Sequence, residues 1–336
     1  MRSYHFDSFD GTGLVSHEHD VPEPGPGQLL VRVKAATFNK RDDLIARGRY
    51  PLPPRPGVVA LSDGAGEVAA AGEGVTRFGV GDRVAGSYWN RWHDGRLDAS
   101  MLDQLGCTHD GMLTEYALLD EGAAAPVPAH LTWAEAATLP CAGVTAWTSI
   151  TGGPELPAGA TVLTLGTGGV SLYAVQLAKA LGYRVIATTS SPEKAERVRG
   201  LGADAVVDYR ETPTWSAAVR RLTGGLGADL VVDTMGPETV NESIRASSLY
   251  GQVVLLTTYS DTAADITVAG ADWAQTMAGI RRVFVGSRGD LEDLGKVVES
   301  AAIRPVVDRV FGFDEAAEAF AYYRTGRAFG KVVVEI

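Results

Sequence analysis

A glycine-rich segment at residues 166–171 has the composition of a phosphate-binding loop. It reads GTGGVS and lies between an apolar run, 161–165, and a segment whose apolar residues recur at helical spacing. Glycines at such a junction let the backbone approach a pyrophosphate, which the helix N-terminus then faces. Ser171 stands at the last glycine position of the usual G-x-G-x-x-G pattern, so a purely structural tight turn is the alternative. The residues predicted to bind a dinucleotide here are Gly166, Thr167, Gly168, Gly169 and Val170.

The residues after the next predicted strand indicate which dinucleotide binds. An NAD-selective site usually carries Asp or Glu at the end of that strand, where the acid binds the ribose 2′-hydroxyl. The stretch 187–191 reads ATTSS and holds no acid. Hydroxyls and a nearby ammonium suit a 2′-phosphate, so NADPH is predicted over NADH, although Lys194 could equally be an ordinary exposed helix residue. The predicted contacts are Thr189, Ser190, Lys194 and, after the third strand, Tyr209.

These loops require a sheet that positions them. Beyond about residue 132, near-continuously apolar runs alternate with segments of helical period, which predicts a parallel sheet buried on both faces. Before residue 130, short runs such as 29–34 and 82–85 are separated by Gly/Pro clusters, which predicts an antiparallel, barrel-like unit. The strands predicted in the later region are 161–165, 184–188, 205–209, 229–233, 252–256 and 282–285.

The composition excludes several classes of protein. The 336 residues are 45% hydrophobic and 21% charged, which is too apolar for a disordered chain. Cys107 and Cys141 allow at most one disulfide, so a reducing cytoplasm is expected. The net charge of −11 would repel a phosphate backbone, so a small-molecule substrate is expected rather than nucleic acid. No apolar run has the composition of a membrane span.

Seven segments follow one another in the order and spacing of a known family. They are residues 38–42 with 48–51, 63–68, 81–84, 137–146, the loop at 166–169, 201–204 and 329–332. Together they resemble the medium-chain dehydrogenase/reductase family, and within it the zinc-independent branch of quinone oxidoreductases and enoyl reductases. The resemblance implies an α/β protein with a GroES-like β-barrel substrate domain at 1–129 and 283–336. It also implies a Rossmann domain, a doubly wound parallel sheet that binds NADP(H), at 130–282, an active site in the cleft between the domains, and a homodimer.

The catalytic zinc ligands of the superfamily are mostly missing from the matching positions. Such a site takes a Cys, a His and a further Cys or Asp. The first would fall near residues 39–40 and the second at 62–63, and only Cys141 keeps a ligand-type side chain. One ligand of three cannot hold zinc, so no metal is predicted and Cys141 is interpreted as a packed side chain.

The resemblance also implies residues that act without a metal. Tyr50 matches the catalytic tyrosine of related enoyl-thioester reductases and would donate a proton, the alternative being that it only lines the pocket. Asn39 matches an asparagine near the nicotinamide and would orient the substrate carbonyl or the ring amide. Lys40 and Asp42 are interpreted as an exposed helix pair. The further implied cofactor contacts are Thr145, Thr257, Tyr259, Val285 and Arg327.

An aromatic segment at residues 87–95 adds a candidate pocket wall. It carries Tyr88, Trp89 and Trp92. Two interpretations remain open, a wall or lid of the substrate pocket and a surface loop folded back on the domain.

The predicted function follows from hydride transfer without a Lewis acid. Alcohol oxidation loses the group that would stabilise an alkoxide. A quinone or an α,β-unsaturated carbonyl accepts hydride from NADPH and needs only hydrogen-bond donors and a proton source. The chain is therefore predicted to be an NADPH-dependent, zinc-independent reductase of such acceptors. The alternatives are a metal-free alcohol or ketone oxidoreductase of the same fold and a non-catalytic NADPH-binding protein.

Overall fold

Two units make up the protein, whose computed structural model describes residues 1–257 and 265–336. The first unit comprises Met1–Val144 and Gly286–Ile336, and the second comprises Thr145–Val285. The boundaries predicted from the sequence lie at residues 130 and 283 instead. In the structure the segment 130–144 bonds within the first unit, because the Leu131 carbonyl accepts an N–H of Arg83 at 2.7 Å.

The strands and helices are as follows. The strands are β1 (Arg2–Phe6), β2 (Val15–Glu18), β3 (Gln28–Thr37), β4 (Val58–Val59), β5 (Asp63–Ala71), β6 (Arg83–Gly86), β7 (Tyr116–Asp120), β8 (Ala124–Pro126), β9 (Thr161–Leu165), β10 (Arg184–Thr189), β11 (Ala205–Asp208), β12 (Ala228–Asp233), β13 (Ser247–Leu255), β14 (Gly279–Arg282), β15 (Val307–Gly312) and β16 (Lys331–Glu335). The α-helices are α1 (Lys40–Ala46), α2 (Trp133–Ala136), α3 (Val144–Thr151), α4 (Gly169–Ala180), α5 (Pro192–Gly200), α6 (Trp215–Leu222), α7 (Val240–Ala246), α8 (Gly270–Thr276), α9 (Arg288–Ser300) and α10 (Ala316–Arg324). Across these described stretches, no helix has the length and apolar character that a membrane crossing needs.

The first unit is built on a mostly antiparallel sheet in the order β15-β16-β3-β5-β6-β8, with β7 also paired to β3. Only β15 and β16 run parallel to each other within it. A smaller sheet has the order β2-β1-β4. The antiparallel unit predicted from the Gly/Pro-separated runs is confirmed, and the last strand of the chain pairs with β3 near the start of the chain.

The second unit is a six-stranded parallel sheet in the order β11-β10-β9-β12-β13-β14. The order reverses beside β9, and loops at the carboxyl ends of strands at such a switch point bind ligands in doubly wound folds. Leu163, Ile186 and Val253 are fully buried in its core. The predicted parallel sheet is therefore confirmed.

One predicted strand, at residues 282–285, is wrong. The strand lies at Gly279–Arg282 because its pairing with β13 runs from Gln252 opposite Gly279 to Leu255 opposite Arg282. The partner strand ends at Leu255, whose carbonyl accepts the Val283 N–H at 3.3 Å, so Phe284 and Val285 lie beyond this pairing. Pairing, rather than the apolar composition of the segment, sets where this strand ends.

We expect Gly66→Ala to destabilise the first unit. Gly66 lies in β5, where a Cβ would collide with the backbone carbonyl of Arg32 on β3. Backbone atoms cannot move aside as a side chain can, so the free energy of unfolding should fall by about 1–3 kcal/mol. Gly200→Ala is the matched control, because a Cβ there meets no atom within 4 Å. Urea unfolding of both variants measures the difference, and equal stability would contradict the tight β3–β5 contact.

Candidate functional site

The glycine-rich loop joins β9 to α4, as the sequence predicts. Gly166 has a left-handed φ of +77°, and its N–H donates to the Thr188 carbonyl at 3.1 Å. Gly168 is the N-cap residue of α4 and supplies no side-chain cap. A Cβ on Gly166 or Gly168 would meet no atom within 4 Å. An uncapped helix N-terminus beside open space is the arrangement that binds a pyrophosphate, so the chain fits the predicted dinucleotide.

Ser171, which departs from the usual glycine pattern, is accommodated by a hydrogen bond. It is buried in the first turn of α4, and its Oγ donates to the Leu165 carbonyl at 2.6 Å. Thr234 Oγ1 donates to the same carbonyl at 2.9 Å. The end of β9 is thus held by two hydroxyls, and the serine does not open the loop.

An unsatisfied hydroxyl lies at the end of β10, where the 2′-phosphate contacts are predicted. Thr189 is buried, and its Oγ1 has no hydrogen-bond partner within the described residues. Such groups are rare in folded proteins and fit a ligand or an ordered water. An acid, Asp208, is opposite Thr189 on the neighbouring strand β11. One of its carboxylate oxygens, Oδ1, accepts the backbone N–H of Arg210 at 2.9 Å. The end of β10 itself therefore carries a hydroxyl where an NAD-selective site has an acid.

The other predicted 2′-phosphate contacts surround this point. Tyr209 is exposed, and its N–H donates to the Thr189 carbonyl at 3.0 Å. Ser190 is partly exposed just after β10. Lys194, also partly exposed, lies in the first turn of α5, where its N–H donates to Ser191 Oγ at 3.3 Å. Ser191 is the N-cap residue of that helix.

Val285, predicted to contact the nicotinamide half of the cofactor, has a strained backbone. Its φ is +62°, a left-handed value that a β-branched residue rarely adopts. Its carbonyl accepts Thr148 Oγ1 at 2.6 Å, which helps to hold this conformation. Thr145, another predicted cofactor contact, is buried in α3 one turn before Thr148. Its carbonyl accepts Ser149 Oγ at 2.6 Å. Backbone strain of this kind is concentrated at ligand sites.

Three further predicted cofactor contacts have different surroundings. Thr257 follows β13, and a Cβ on Gly236 would collide with its carbonyl oxygen, so the loops after β12 and β13 pack tightly. Tyr259 lies outside the described residues. Arg327 is exposed in the first unit, where its N–H donates to Thr325 Oγ1 at 3.3 Å. Thr257 thus follows the carboxyl end of a sheet strand, as the glycine loop does. The cofactor-binding roles of Thr257, Tyr259 and Arg327 stay predictions.

Lys331 places a buried ammonium beside Asn39. Its Nζ donates to the Phe38 carbonyl at 2.6 Å and to Asn39 Oδ1 at 2.5 Å. Burial lowers the pKa of Lys331, and the charge of Asp63 opposes this. Burial raises the pKa of Asp63, whose Oδ2 accepts the Cys141 N–H at 3.0 Å. Lys331 occupies Asn39 Oδ1, and Asn39 Nδ2 donates a long hydrogen bond to Ser62 Oγ at 3.5 Å, so a ligand would compete with Ser62 for the Nδ2 group.

The same cluster does not fit a zinc ion. A divalent cation near Asn39 would be repelled by the Lys331 ammonium. Burial raises the pKa of the Cys141 thiol, which disfavours the thiolate that zinc requires. Across the part of the chain that the structure describes, no group of three His, Cys, Asp or Glu side chains could hold a metal ion.

Asp42 is buried, so its interpretation as part of an exposed pair is wrong. Asp42 Oδ2 accepts the N–H of Asn39, the N-cap residue of α1, at 2.7 Å. Its Oδ1 lies 3.9 Å from Arg41 Nη1 and has no hydrogen-bond partner within the described residues. Burial raises the pKa of Asp42 to about 6. Helical spacing does not reveal that neighbouring segments cover all of α1 except Lys40.

Tyr50 forms a triangle of hydrogen-bonding groups with Tyr88 and Gln104. Tyr50 Oη lies 2.7 Å from Tyr88 Oη and 2.8 Å from Gln104 Oε1, and Tyr88 Oη lies 3.1 Å from the same Oε1. The guanidinium carbon of Arg41 lies 5.3 Å from the ring centre of Tyr50 and 4.9 Å from that of Tyr88. Burial raises the pKa of Tyr50 to about 12, and the Arg41 charge opposes this. Tyr50 therefore carries its proton at neutral pH.

Comparisons with known proteins match both units. The model of the alcohol dehydrogenase GroES-like domain matches residues 25–129, and that of the zinc-binding dehydrogenase matches 169–300. A zinc-type alcohol dehydrogenase-like protein of Schizosaccharomyces pombe is 39% identical over 96% of this chain and 95% of its own. An alcohol dehydrogenase of Rhizobium meliloti is 32% identical over 97% of this chain and 96% of its own. The chain belongs to the medium-chain dehydrogenase/reductase family.

A solved structure agrees with this assignment. The crystal structure of an NAD-dependent alcohol dehydrogenase matches with a TM-score of 0.90 at 34% identity and covers 100% of both chains. The GroES-like and Rossmann folds predicted from the resemblance are therefore confirmed, and the chain is an oxidoreductase related to alcohol dehydrogenases.

In this medium-chain dehydrogenase/reductase, the sequence does not predict several side-chain contacts around Tyr50 and Asn39. Tyr88 lies in the segment interpreted as a pocket wall or a surface loop; Tyr88 and Trp89 are buried, and neither interpretation predicts the contacts of Tyr88 with Tyr50 and Gln104. Gln104 and Arg41 gave no signal, because their contacts join positions up to 64 residues apart. Lys331 appeared only within a family segment. A charged residue directly before the three consecutive valines of the final strand was the available signal.

We expect Asp42→Asn to change how stability depends on pH. The pKa of Asp42 is raised from 3.8 to about 6 in the folded protein, so the unfolded chain loses this proton first. The contribution of Asp42 to the free energy of unfolding should therefore fall by about 1–2 kcal/mol between pH 5 and pH 8. Because Asn cannot ionise, the variant should lose less stability over this range. Urea unfolding at both pH values measures this, with the exposed Asp20→Asn as the control. Parallel pH profiles of the variant and the unaltered protein would contradict it.

Proposed function

We propose that this protein is an NADPH-dependent, zinc-independent reductase of quinones or α,β-unsaturated carbonyls. The observation that carries the proposal is the buried cluster of Lys331, Asn39 and Asp63. At the family's zinc-ligand positions this chain has an amide held by an ammonium, and a carboxylate that accepts a backbone N–H. Charge that develops on an acceptor oxygen would then be met by hydrogen-bond donors. Asn39 Nδ2 and the Tyr50 hydroxyl are the donors we assign to this task.

The acceptor class follows from what such donors can stabilise. Oxidation of a simple alcohol passes through an alkoxide, which a Lewis acid stabilises far better than neutral donors do. In a quinone or an enone the charge spreads over a conjugated system, and hydrogen bonds with one proton donor are sufficient. Tyr50 is protonated at neutral pH, as this role requires.

A nicotinamide cofactor is supported by the fold and by the relatives. Bound and reduced, it would supply a hydride from C4 of its ring. The loop at 166–169 and the N-terminus of α4 would hold the pyrophosphate. For NADPH rather than NADH, the support is the unpartnered Thr189 hydroxyl, the partly exposed Lys194 and the absence of an acid at the end of β10.

A metal-free alcohol or ketone oxidoreductase is the second candidate. The names of several relatives favour it, since they are alcohol dehydrogenases. The two candidates differ in the product that they form from an enone. A reductase of the conjugated double bond yields a saturated carbonyl, and a ketone reductase yields an allylic alcohol.

We expect the chelator-treated, metal-free protein to oxidise NADPH with at least one acceptor from a panel of quinones, enals, enones and enoyl thioesters. The rate should be unchanged when zinc is restored, because the cluster at Lys331 does not fit the ion. NADPH absorbance gives the rate, and product analysis shows whether the carbonyl survives. The absence of turnover with every acceptor, or activity only with zinc, would overturn the proposal.

We expect Ser190→Asp to shift cofactor preference from NADPH toward NADH. A carboxylate beside the end of β10 would repel a 2′-phosphate and accept a hydrogen bond from a 2′-hydroxyl. The ratio of kcat/KM for NADPH to that for NADH should fall at least about tenfold. Lys194→Ala should weaken the binding of NADPH but not that of NADH. Arg199→Ala on the same helix should change the binding of neither cofactor. A ratio that stays constant in both site variants would refute the assignment.

A further inference from the structure

We propose that Tyr88 is a positioning residue that, together with Gln104 and Arg41, replaces the proton that Tyr50 gives to the acceptor. This inference rests on the proposed function, in which Tyr50 protonates the reduced acceptor. It extends the site from one tyrosine to a buried group of four side chains that no sequence motif connects.

The number of protons in the triangle shows why Tyr50 does not act alone. Tyr50 and Tyr88 carry two hydroxyl protons, but three short contacts join these hydroxyls and Gln104 Oε1. At most two of the three contacts are hydrogen bonds at once. Tyr50 must release one of them to donate to a ligand, and Tyr88 can then donate to Tyr50 Oη across 2.7 Å. The pair is thus arranged to pass a proton toward the acceptor.

Gln104 can serve both protonation states of the pair. Its Oε1 accepts the tyrosine hydroxyls, while its Nε2 is buried and has no hydrogen-bond partner within the described residues. A half-turn of the amide would exchange these two groups. The neutral pair needs the acceptor Oε1, and a phenolate needs the donor Nε2.

Arg41 supplies the positive charge that a buried phenolate requires. Its Nη1 donates to the Leu105 carbonyl at 2.6 Å, whereas Nε and Nη2 have no hydrogen-bond partner within the described residues. Asp42 Oδ1, at 3.9 Å from Nη1, is too distant for a hydrogen bond. A buried cation with incomplete pairing favours any new negative charge nearby. The ring centres of Tyr50 and Tyr88 lie 5.3 Å and 4.9 Å from the guanidinium carbon.

The step balances as follows. After hydride reaches the β-carbon of an enone, the resulting enolate takes the hydroxyl proton of Tyr50. The hydroxyl proton of Tyr88 moves to Tyr50 Oη, and a transient negative charge lies on Tyr88 Oη, where burial raises the pKa well above its usual range and the charge of Arg41 lowers it. When the saturated product leaves, one proton from water returns through Tyr50 and restores both hydroxyls.

The test compares Tyr88→Phe with Tyr50→Phe in the full-length protein loaded with NADPH and an enone. Tyr50→Phe should lower kcat about 100-fold and Tyr88→Phe about tenfold, with KM for NADPH unchanged. The rate in mixtures of H2O and D2O should curve with deuterium content in the unaltered enzyme, because two protons move, and become linear in Tyr88→Phe. Tyr322→Phe is the control, because it removes a hydroxyl bonded to Asp308 elsewhere in the first unit.

The outcomes separate this inference from the proposed function. If the unaltered protein oxidises NADPH but Tyr88→Phe keeps its kcat and a curved isotope dependence, the relay is wrong and the function stands. An unchanged rate in Tyr50→Phe would reduce Tyr50 to pocket lining and also overturn the relay. No turnover by the unaltered protein would overturn both.

Should Tyr88→Phe misfold, as judged by circular dichroism, Gln104→Glu replaces it, because a carboxylate cannot donate to a phenolate. Its kcat should fall similarly, and an unchanged kcat would refute the relay.

Discussion

The first unit depends on charges that are buried around one short helix, α1. Arg41 and Asp42 lie within that helix, and Lys331 reaches its N-cap residue, Asn39, from the last strand of the chain. Each buried charge is tolerated only with partners, because an ionised group without them is strongly disfavoured in the interior. The start of α1 and the final strand therefore depend on each other in the folded structure. A side chain 292 positions away orients Asn39.

This constraint also shapes the chemistry that the unit can perform. Two cations, Arg41 and Lys331, are buried near two carboxylates, Asp42 and Asp63, whose pKa values are raised by burial. An added divalent ion would upset this balance, whereas a proton that moves between neutral hydroxyls creates only transient charge. Under the proposed function, this interior would serve proton transfer rather than hold a metal ion.

The sequence predicted the second unit more completely than the first. Strands such as 161–165 are continuous apolar runs because both faces of a parallel sheet are buried, and that signal is local. Residues 282–285 were assigned wrongly because the end of that strand depends on β13, which no local pattern reports. The predicted exposure of Asp42 was wrong for a related reason, and the sequence did not predict the contacts of Tyr88. Their burial results from segments distant in sequence, and a charged or phenolic side chain carries no local mark of being covered.

The two units differ in how they tolerate change. In the second unit, the predicted cofactor loop relies on backbone N–H groups and glycine conformations, and Ser171 fits there because its hydroxyl donates to the Leu165 carbonyl. In the first unit, the candidate chemistry rests on side chains that share partners. Loss of Tyr88 would leave Tyr50 and Gln104 with unmatched groups, and loss of Lys331 would free Asn39 Oδ1. Under the proposed function, the chemistry of the GroES-like unit therefore depends on side chains that must change together, whereas the glycine-rich loop tolerates a change at one position.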